Sequence, residues 1–141
     1  MRIVLDTNAL LSSISRKSQF REIFDKILEG TITLVVSNDI LLEYAEIIAT
    51  RSAPHVAENI LKGFEDRPNI EHITIFFNWN LITNDPDDNK FVDCNLAGGA
   101  EYLVSNDHHF DVLSPDDFPP VRVVSIEEYL EILQSQIGDE D

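Results

Sequence analysis

Apolar residues in this chain gather into short unbroken runs separated by longer stretches with helical spacing. Ile3-Val4-Leu5, residues 33–36 and residues 102–104 are too brief and too apolar for half-solvated strands, and they predict strands buried on both faces. Residues 121–124 predict a last strand, and the β-rich patch at residues 73–77 predicts another between residues 71 and 81. Helical spacing fills the intervals. Residues 8–14 form a short helix, and Phe20, Ile23, Phe24, Ile27 and Leu28 mark a second that Gly30 ends. Ser37 caps a third, with Leu41, Tyr44, Ala45 and Ile48 on its core face, and Pro54 opens a fourth with Val56, Ile60, Leu61 and Phe64 inward. A fifth runs from Asp88 to the Gly98-Gly99 stop. Ser125 and Glu128 form a capping box for a closing helix with Ile126, Tyr129, Leu130 and Leu133 inward. Strands that alternate with helices give a three-layer α/β/α sandwich around a mainly parallel sheet. Residues 1–137 form one domain on this reading, followed by a frayed acidic tail at 138–141.

Length and composition agree with that picture. The chain has 141 residues, 43% of them hydrophobic, enough for one globular domain with an ordinary core. Cys94 is the single cysteine, so neither an internal disulfide nor a multi-thiol zinc site can form, and its apolar surroundings favour a structural role. The apolar start is interrupted by Asp6, unlike a signal peptide, and no run approaches the roughly 20 apolar residues of a membrane span. A cytoplasmic protein is expected.

The net charge of −16 opposes simple binding of nucleic acid, which usually needs a basic surface. Its distribution changes the picture. Residues 1–30 hold five basic side chains (Arg2, Arg16, Lys17, Arg21, Lys26) against four acidic ones, and the remainder carries −17. Only this N-terminal part would not repel a polyanion, although a solvated helix face explains the same residues equally well.

The candidate chemistry is carboxylate chemistry. Asp6 follows the first strand and Asp107 follows the strand at 102–104, the ends at which open α/β sheets bind ligands. Asp93 lies among Val92, Cys94 and Leu96, where an ionised group loses hydration unless a cation compensates it, and only Lys90 is near in sequence. Three acids converging on one rim would suit a hard cation such as Mg2+ or Mn2+. Asp6 and Asp107 have a plainer use, since Asp just after a strand commonly caps a turn or helix; Asp93, among apolar neighbours, is hardest to dismiss, and Asp88 and Asp111 are second-tier candidates whose plainer use is a helix cap or a solvent-facing acid.

Four blocks, taken in order, resemble the signatures of PIN domains, particularly the bacterial PIN-family toxins of toxin-antitoxin systems. They are Ile-Val-Leu-Asp-Thr-Asn at the N-terminus, Val-Ser followed by Glu43 in a helix, Asp-Asn-Lys-Phe-Val-Asp-Cys, and Tyr-Leu-Val-Ser-Asn-Asp. The resemblance implies a metal-dependent endoribonuclease holding one or two Mg2+ or Mn2+ ions. On matching positions it implies Asp6, Glu43, Asp93 and Asp107 as catalytic and metal-binding acids, with Glu46 a rival to Glu43. It also implies Asn8 and Ser105 as supporting polar residues. His109 stands where many relatives have a further acid, and is read either as a phosphate contact or as a partly buried polar group; His108 is read as solvent-facing. Lys90 would offset the acids without metal or touch substrate. Partners implied are an RNA substrate, a small antitoxin protein and a second copy of the chain as a homodimer. The ion would activate water for attack on the phosphodiester and stabilise the leaving oxygen.

Two other readings compete with this one. The chain could be a non-catalytic module of the same fold whose acidic surface engages a basic partner. A phosphoaspartyl receiver or phosphatase-like domain also places Asp at a strand end, but the residue two after Asp6 is Asn8, and the late strand offers Arg122 rather than lysine.

Overall fold

A computed structural model describes residues 1–140, with side chains through residue 136. Five parallel strands form one sheet in the order β3-β2-β1-β4-β5, with β1 at Arg2–Leu5, β2 at Thr33–Val36, β3 at Ile70–His72, β4 at Tyr102–Val104 and β5 at Val123–Val124. Six helices connect or follow them: α1 (Thr7–Ile14), α2 (Arg21–Glu29), α3 (Asn38–Arg51), α4 (Pro54–Glu65), α5 (Asn89–Gly98) and α6 (Ile126–Glu140). The tail expected at 138–141 has no described side chains, and Asp141 lies outside the described residues.

The strand order dictates the layers. The crossovers from β1 to β2 and from β2 to β3 step one way along the sheet, whereas the crossover from β3 to β4 steps back past both. Because parallel crossovers are right-handed, the two sets of helices fall on opposite faces. Accordingly α5 packs across β1, β2 and β4. Both faces of the central strands are thereby dry: Ile3, Val4, Leu5, Leu34, Val35, Val36 and Leu103 have no exposed surface. The direction of the crossovers changes at β1, which lies between β2 and β4. A receiver domain instead has its first strand between its second and third, so this sheet does not have that topology.

One predicted strand is corrected. Residues 73–77 are not extended sheet; β3 ends at His72, just before them. The ladder runs out because Val36 accepts its last bond from the Ile73 amide at 2.8 Å and Ser37 then turns the chain into α3. The apolar patch beyond is left outside, with Phe76 92% and Phe77 64% exposed. Trp79 packs edge-on between Phe77 and Phe118, at centroid distances of 4.9 and 5.9 Å. The last strand is shorter than its apolar run, with pairing from the Arg122 carbonyl, which accepts from the Leu103 amide at 2.9 Å. The capping box at the start of α6 is complete. The Ser125 hydroxyl accepts from the Glu128 amide and the Glu128 carboxylate accepts from the Ser125 amide, both at 3.0 Å.

The end of α5 depends on two adjacent glycines for different reasons. Gly99 is left-handed at φ +60°, and its N–H closes the helix on the carbonyls of Asn95 and Leu96. Gly98 is held by space: a Cβ there would meet Val35 Cγ1 at 2.5 Å and Ile73 Cγ1 at 3.2 Å. Val35 is β-branched and fully buried, so it cannot swing aside. Gly98→Ala is expected to destabilise the fold by about 1–3 kcal/mol despite alanine's better helix propensity, as measured by urea denaturation.

Candidate functional site

The site is built at the carboxyl-terminal ends of β1 and β4, on either side of the point where the crossovers diverge. Such a switch point leaves a crevice outside the strand ends. Asp6 follows β1 directly and remains tied to the sheet by its amide, which donates to the Val104 carbonyl at 3.1 Å. Its Oδ1 caps α1 by accepting from the Ala9 amide at 2.7 Å, and its Oδ2 accepts from the Ser105 hydroxyl. Capping and site duty therefore belong to the same carboxylate. Ser105 Oγ also accepts from the Asp107 amide at 2.9 Å, so this buried serine links the first and last acids.

Asp107 in turn caps a short 3-10 helix, His108–Val112, by accepting from the His109 amide at 2.8 Å. That turn aims the His109 ring back at the acids. Its Nδ1 lies 3.0 Å from Asp88 Oδ2, 3.3 Å from Asp107 Oδ1 and 3.9 Å from Asp85 Oδ2. Asp88 stands at the N-cap of α5 yet makes no capping bond. Its side chain serves the site instead. Among the described residues, Asp85, Asp88 and His109 are a group whose ligand atoms all fall within 4.8 Å of one another.

Glu43 joins from α3. Tyr44, with no exposed surface, donates its hydroxyl to the Leu5 carbonyl at 2.5 Å and pins this turn of the helix to the end of β1. Its neighbour Glu43 consequently meets Thr7, whose hydroxyl donates to Oε2, while Lys90 pairs with Oε1 at 2.9 Å. Lys90 also donates to the Asp87 carbonyl at 2.8 Å. Asn8 is exposed on α1 and lines a small cleft of about 190 Å³ with Asp6, Asn106 and Asp107.

Of the predicted acids, Asp6, Asp107 and Glu43 are thus brought to one rim, with Asn8, Ser105, Lys90 and His109 around them. Asp93 shares a cleft with Glu43 and Lys90 but is not brought beside Asp6 and Asp107. It lies five residues beyond Asp88, about 140° around a helix, and faces another way. Its Oδ1 accepts from the Trp79 amide at 3.0 Å, and it borders both the cleft containing Glu43 and Lys90 and the apolar groove of Phe77, Trp79 and Phe118. The charges that act on Asp6 are those of Asp107 and Asp88. Burial raises the Asp93 carboxyl above its ordinary value, and the Trp79 amide opposes that only in part. Asp88, a second-tier candidate in the sequence, stands instead beside Asp107 and His109, and its charge acts on Asp6. The legible signal was its position at the mouth of a helix behind a run of acids, Asp85 to Asp88. Cys94 is buried and its thiol is pushed up to about 12, chiefly by that burial, which makes it inert.

Electrostatics mark the rim as unfinished. Burial, the largest cause, raises Asp6 above its ordinary value; Ser105 and Ala9 oppose it, and the Asp107 and Asp88 charges add to it. Burial likewise raises Asp88, opposed by its bond to His109 and reinforced by Asp107 and Asp85. That same bond is the main reason the His109 imidazole titrates higher than usual. An oxygen-rich, mutually repelling set with one imidazole fits a divalent cation.

A family model described as a PIN domain matches residues 2–109, more than half of the chain. No curated protein matches at a significant level. Among solved structures, the fold is similar to that in the crystal structure of VapBC2 from Rickettsia felis bound to a DNA fragment from their promoter. That likeness has a TM-score of 0.61 at 18% identity, over 89% of this chain and 98% of that one.

The raised acids fix the sign of a pH effect. An acid whose folded value exceeds its unfolded value contributes stability below the unfolded value and loses it as pH rises through the folded one. The raised histidine behaves in the same direction. Metal-free protein should therefore lose part of its stability as pH rises above about 4, with a further loss above about 6.5 from His109. Urea denaturation across that range should show Asp6→Asn gaining on the parent chain as pH rises, and His109→Asn lacking the second loss.

Proposed function

Since the chain belongs to the PIN-domain family, we propose that it is a metal-dependent endoribonuclease, the toxin of a toxin-antitoxin pair. The observation that carries this reading is the convergence of Asp6, Asp88 and Asp107 at one switch point, with Glu43 beside them. The supporting family trait is nuclease activity; the fold likeness to VapBC2, a protein described as bound to promoter DNA, supports a small protein partner. Within the family set, Asp88 takes the role first read onto Asp93. A bound Mg2+ or Mn2+ would supply a water of lowered pKa and charge stabilisation for the leaving oxygen.

The chain's own residues do the rest. Asp6, Asp88 and Asp107 would hold the ion, and Ser105 orients Asp6 against Asp107 by bonding both. Glu43, fixed by Thr7 and Lys90, would orient the attacking water. Lys90 offsets the acids and faces the cleft of about 530 Å³ through which a backbone phosphate would approach. Single-stranded or looped RNA is the substrate class, because a flexible backbone enters a carboxylate-lined cleft more easily than a stiff duplex. No helix among the described residues is long and apolar enough to cross a membrane, in keeping with an RNA-directed role in the cytoplasm.

The net charge of −16 also favours a second reading, an interaction module that keeps the fold without the chemistry. Incubation with single-stranded RNA and Mn2+ or Mg2+ separates the two. Cleavage should appear, stop with EDTA, and fall at least about 100-fold in Asp6→Asn and Asp88→Asn, the upper end of what disturbing a metal site's surroundings costs. Asp93→Asn, which keeps an oxygen for the Trp79 amide, should fall far less. Cleavage indifferent to EDTA and to both variants would exclude the metal mechanism, and no cleavage with no Mn2+ binding by calorimetry would favour the module.

A further inference from the structure

The family reading concerns acids, but the densest group of ligand atoms in the site contains a nitrogen. His109 Nδ1 faces three carboxylate oxygens at 3.0, 3.3 and 3.9 Å, from Asp88, Asp107 and Asp85. An octahedral ion bound at about 2.1 Å sets adjacent ligand atoms about 3 Å apart and opposite ones about 4 Å apart. The spacings around Nδ1 match those of ligands sharing one small ion. The ring is also held in place from its own backbone, since its amide donates to Asp107 Oδ1 at 2.8 Å while its side chain remains 39% exposed.

Resting on the metal-site reading above, we infer that His109 Nδ1 is a metal ligand in company with Asp88 and Asp85, and that it makes the site select Mn2+ over Mg2+. Magnesium demands oxygen ligands and gives up its waters reluctantly, whereas first-row transition metals accept imidazole readily. One nitrogen among carboxylates therefore weakens Mg2+ relative to Mn2+. The His108 ring does not share this role: it is almost wholly exposed and pairs with Asp111 at 3.2 Å. A resident counter-cation is the other use of the His109 ring, and the two uses predict opposite responses to its removal. As a ligand, its loss weakens Mn2+ binding. As a counter-cation, its loss strengthens it.

The test loads the full chain with Mn2+ and reads it by electron spin-echo spectroscopy, with Mg2+ competition followed by the signal of free Mn2+. Expected is a nitrogen coupling from one directly bound imidazole, lost in His109→Asp, together with a Mn2+ over Mg2+ preference that narrows at least about 10-fold in that variant. Mn2+ that binds in an Asp6-dependent way without nitrogen coupling would overturn the inference and leave the metal site standing. Tighter Mn2+ binding by His109→Asn would overturn it equally. No Asp6-dependent Mn2+ binding at all would overturn both the inference and the metal-site reading on which it rests. Because the nitrogen coupling is read first in the unsubstituted chain, a variant that fails to fold does not rescue the proposal.

Discussion

Where β1 ends between β2 and β4, Asp6 and Asp88 are held where burial and the neighbouring charge of Asp107 both oppose their ionisation. Asp6 is only 6% exposed, and the charges of Asp107 and Asp88 reach it there. Desolvation and like-charge crowding are the two effects that most strongly raise a carboxyl's pKa, and here they act together. A protein selected for stability alone has no reason to keep such a cluster. Much of the surrounding structure exists to hold it: the dry strands that fix both Asp backbones, the Ser105 hydroxyl bridging Asp6 and Asp107, and the Tyr44 hydroxyl that locks α3 against the end of β1. Each of these buried polar groups is satisfied, so the strain of the site is confined to the carboxylates themselves.

The chain relieves that strain only in part. Lys90 answers Glu43, and the His109 ring answers Asp88 and Asp107. Neither cation reaches Asp6, whose oxygens receive only the neutral donors of Ala9 and Ser105. Neutral donors lower a carboxyl's pKa, yet Asp6 is still raised on balance. At the site the residual imbalance sits on Asp6, the most buried of the acids around the crevice, where a divalent ion gains most from low local dielectric. Lys90 and His109 thus keep the rim compact without closing it.

The parts of this arrangement that sequence made legible are those set by short-range pattern. A buried run followed by Asp locates Asp6 and Asp107, because strand ends and switch points are properties of topology that hydrophobic periodicity reveals. Ser125 and Glu128 announce their cap for the same reason. The surroundings that the sequence did not reveal depend on where distant groups land. Asp93 has apolar neighbours in sequence, and the one donor that partly offsets its burial is the Trp79 amide, fourteen residues away along an irregular stretch with no periodicity. Asp88 and Asp93 differ by about 140° of helix rotation, and no pattern in the sequence says which side of α5 meets the crevice. The patch at 73–77 has strand-like composition without a partner, since the neighbouring strand has already turned into α3. Composition gave the propensity there; the missing neighbour decided the outcome.

Charge is the remaining difficulty for an RNA-directed reading, and the structure sharpens it. Arg2 is taken by Glu71, Arg21 by Asp25 and Lys26 by Glu29, so most of the N-terminal basic excess is spent within the protein surface. Arg16 and Lys17 are exposed in the turn between α1 and α2 and make no ion pair among the described residues. That turn follows α1, whose first residue adjoins Asp6, so the two side chains stand about 12 Å of helix away from the acids. That spacing exceeds a Debye length at physiological salt, so they cannot neutralise the acids themselves. Attraction of a polyanion to the crevice must then come from charge inside it. A divalent ion among the acids reverses the sign of the local field at the point where phosphate has to sit, which no rearrangement of the protein's own cations achieves. Under the proposed reading the ion would be required for binding RNA as much as for cutting it, and the acidic surface outside the crevice would leave one favourable place for a phosphate.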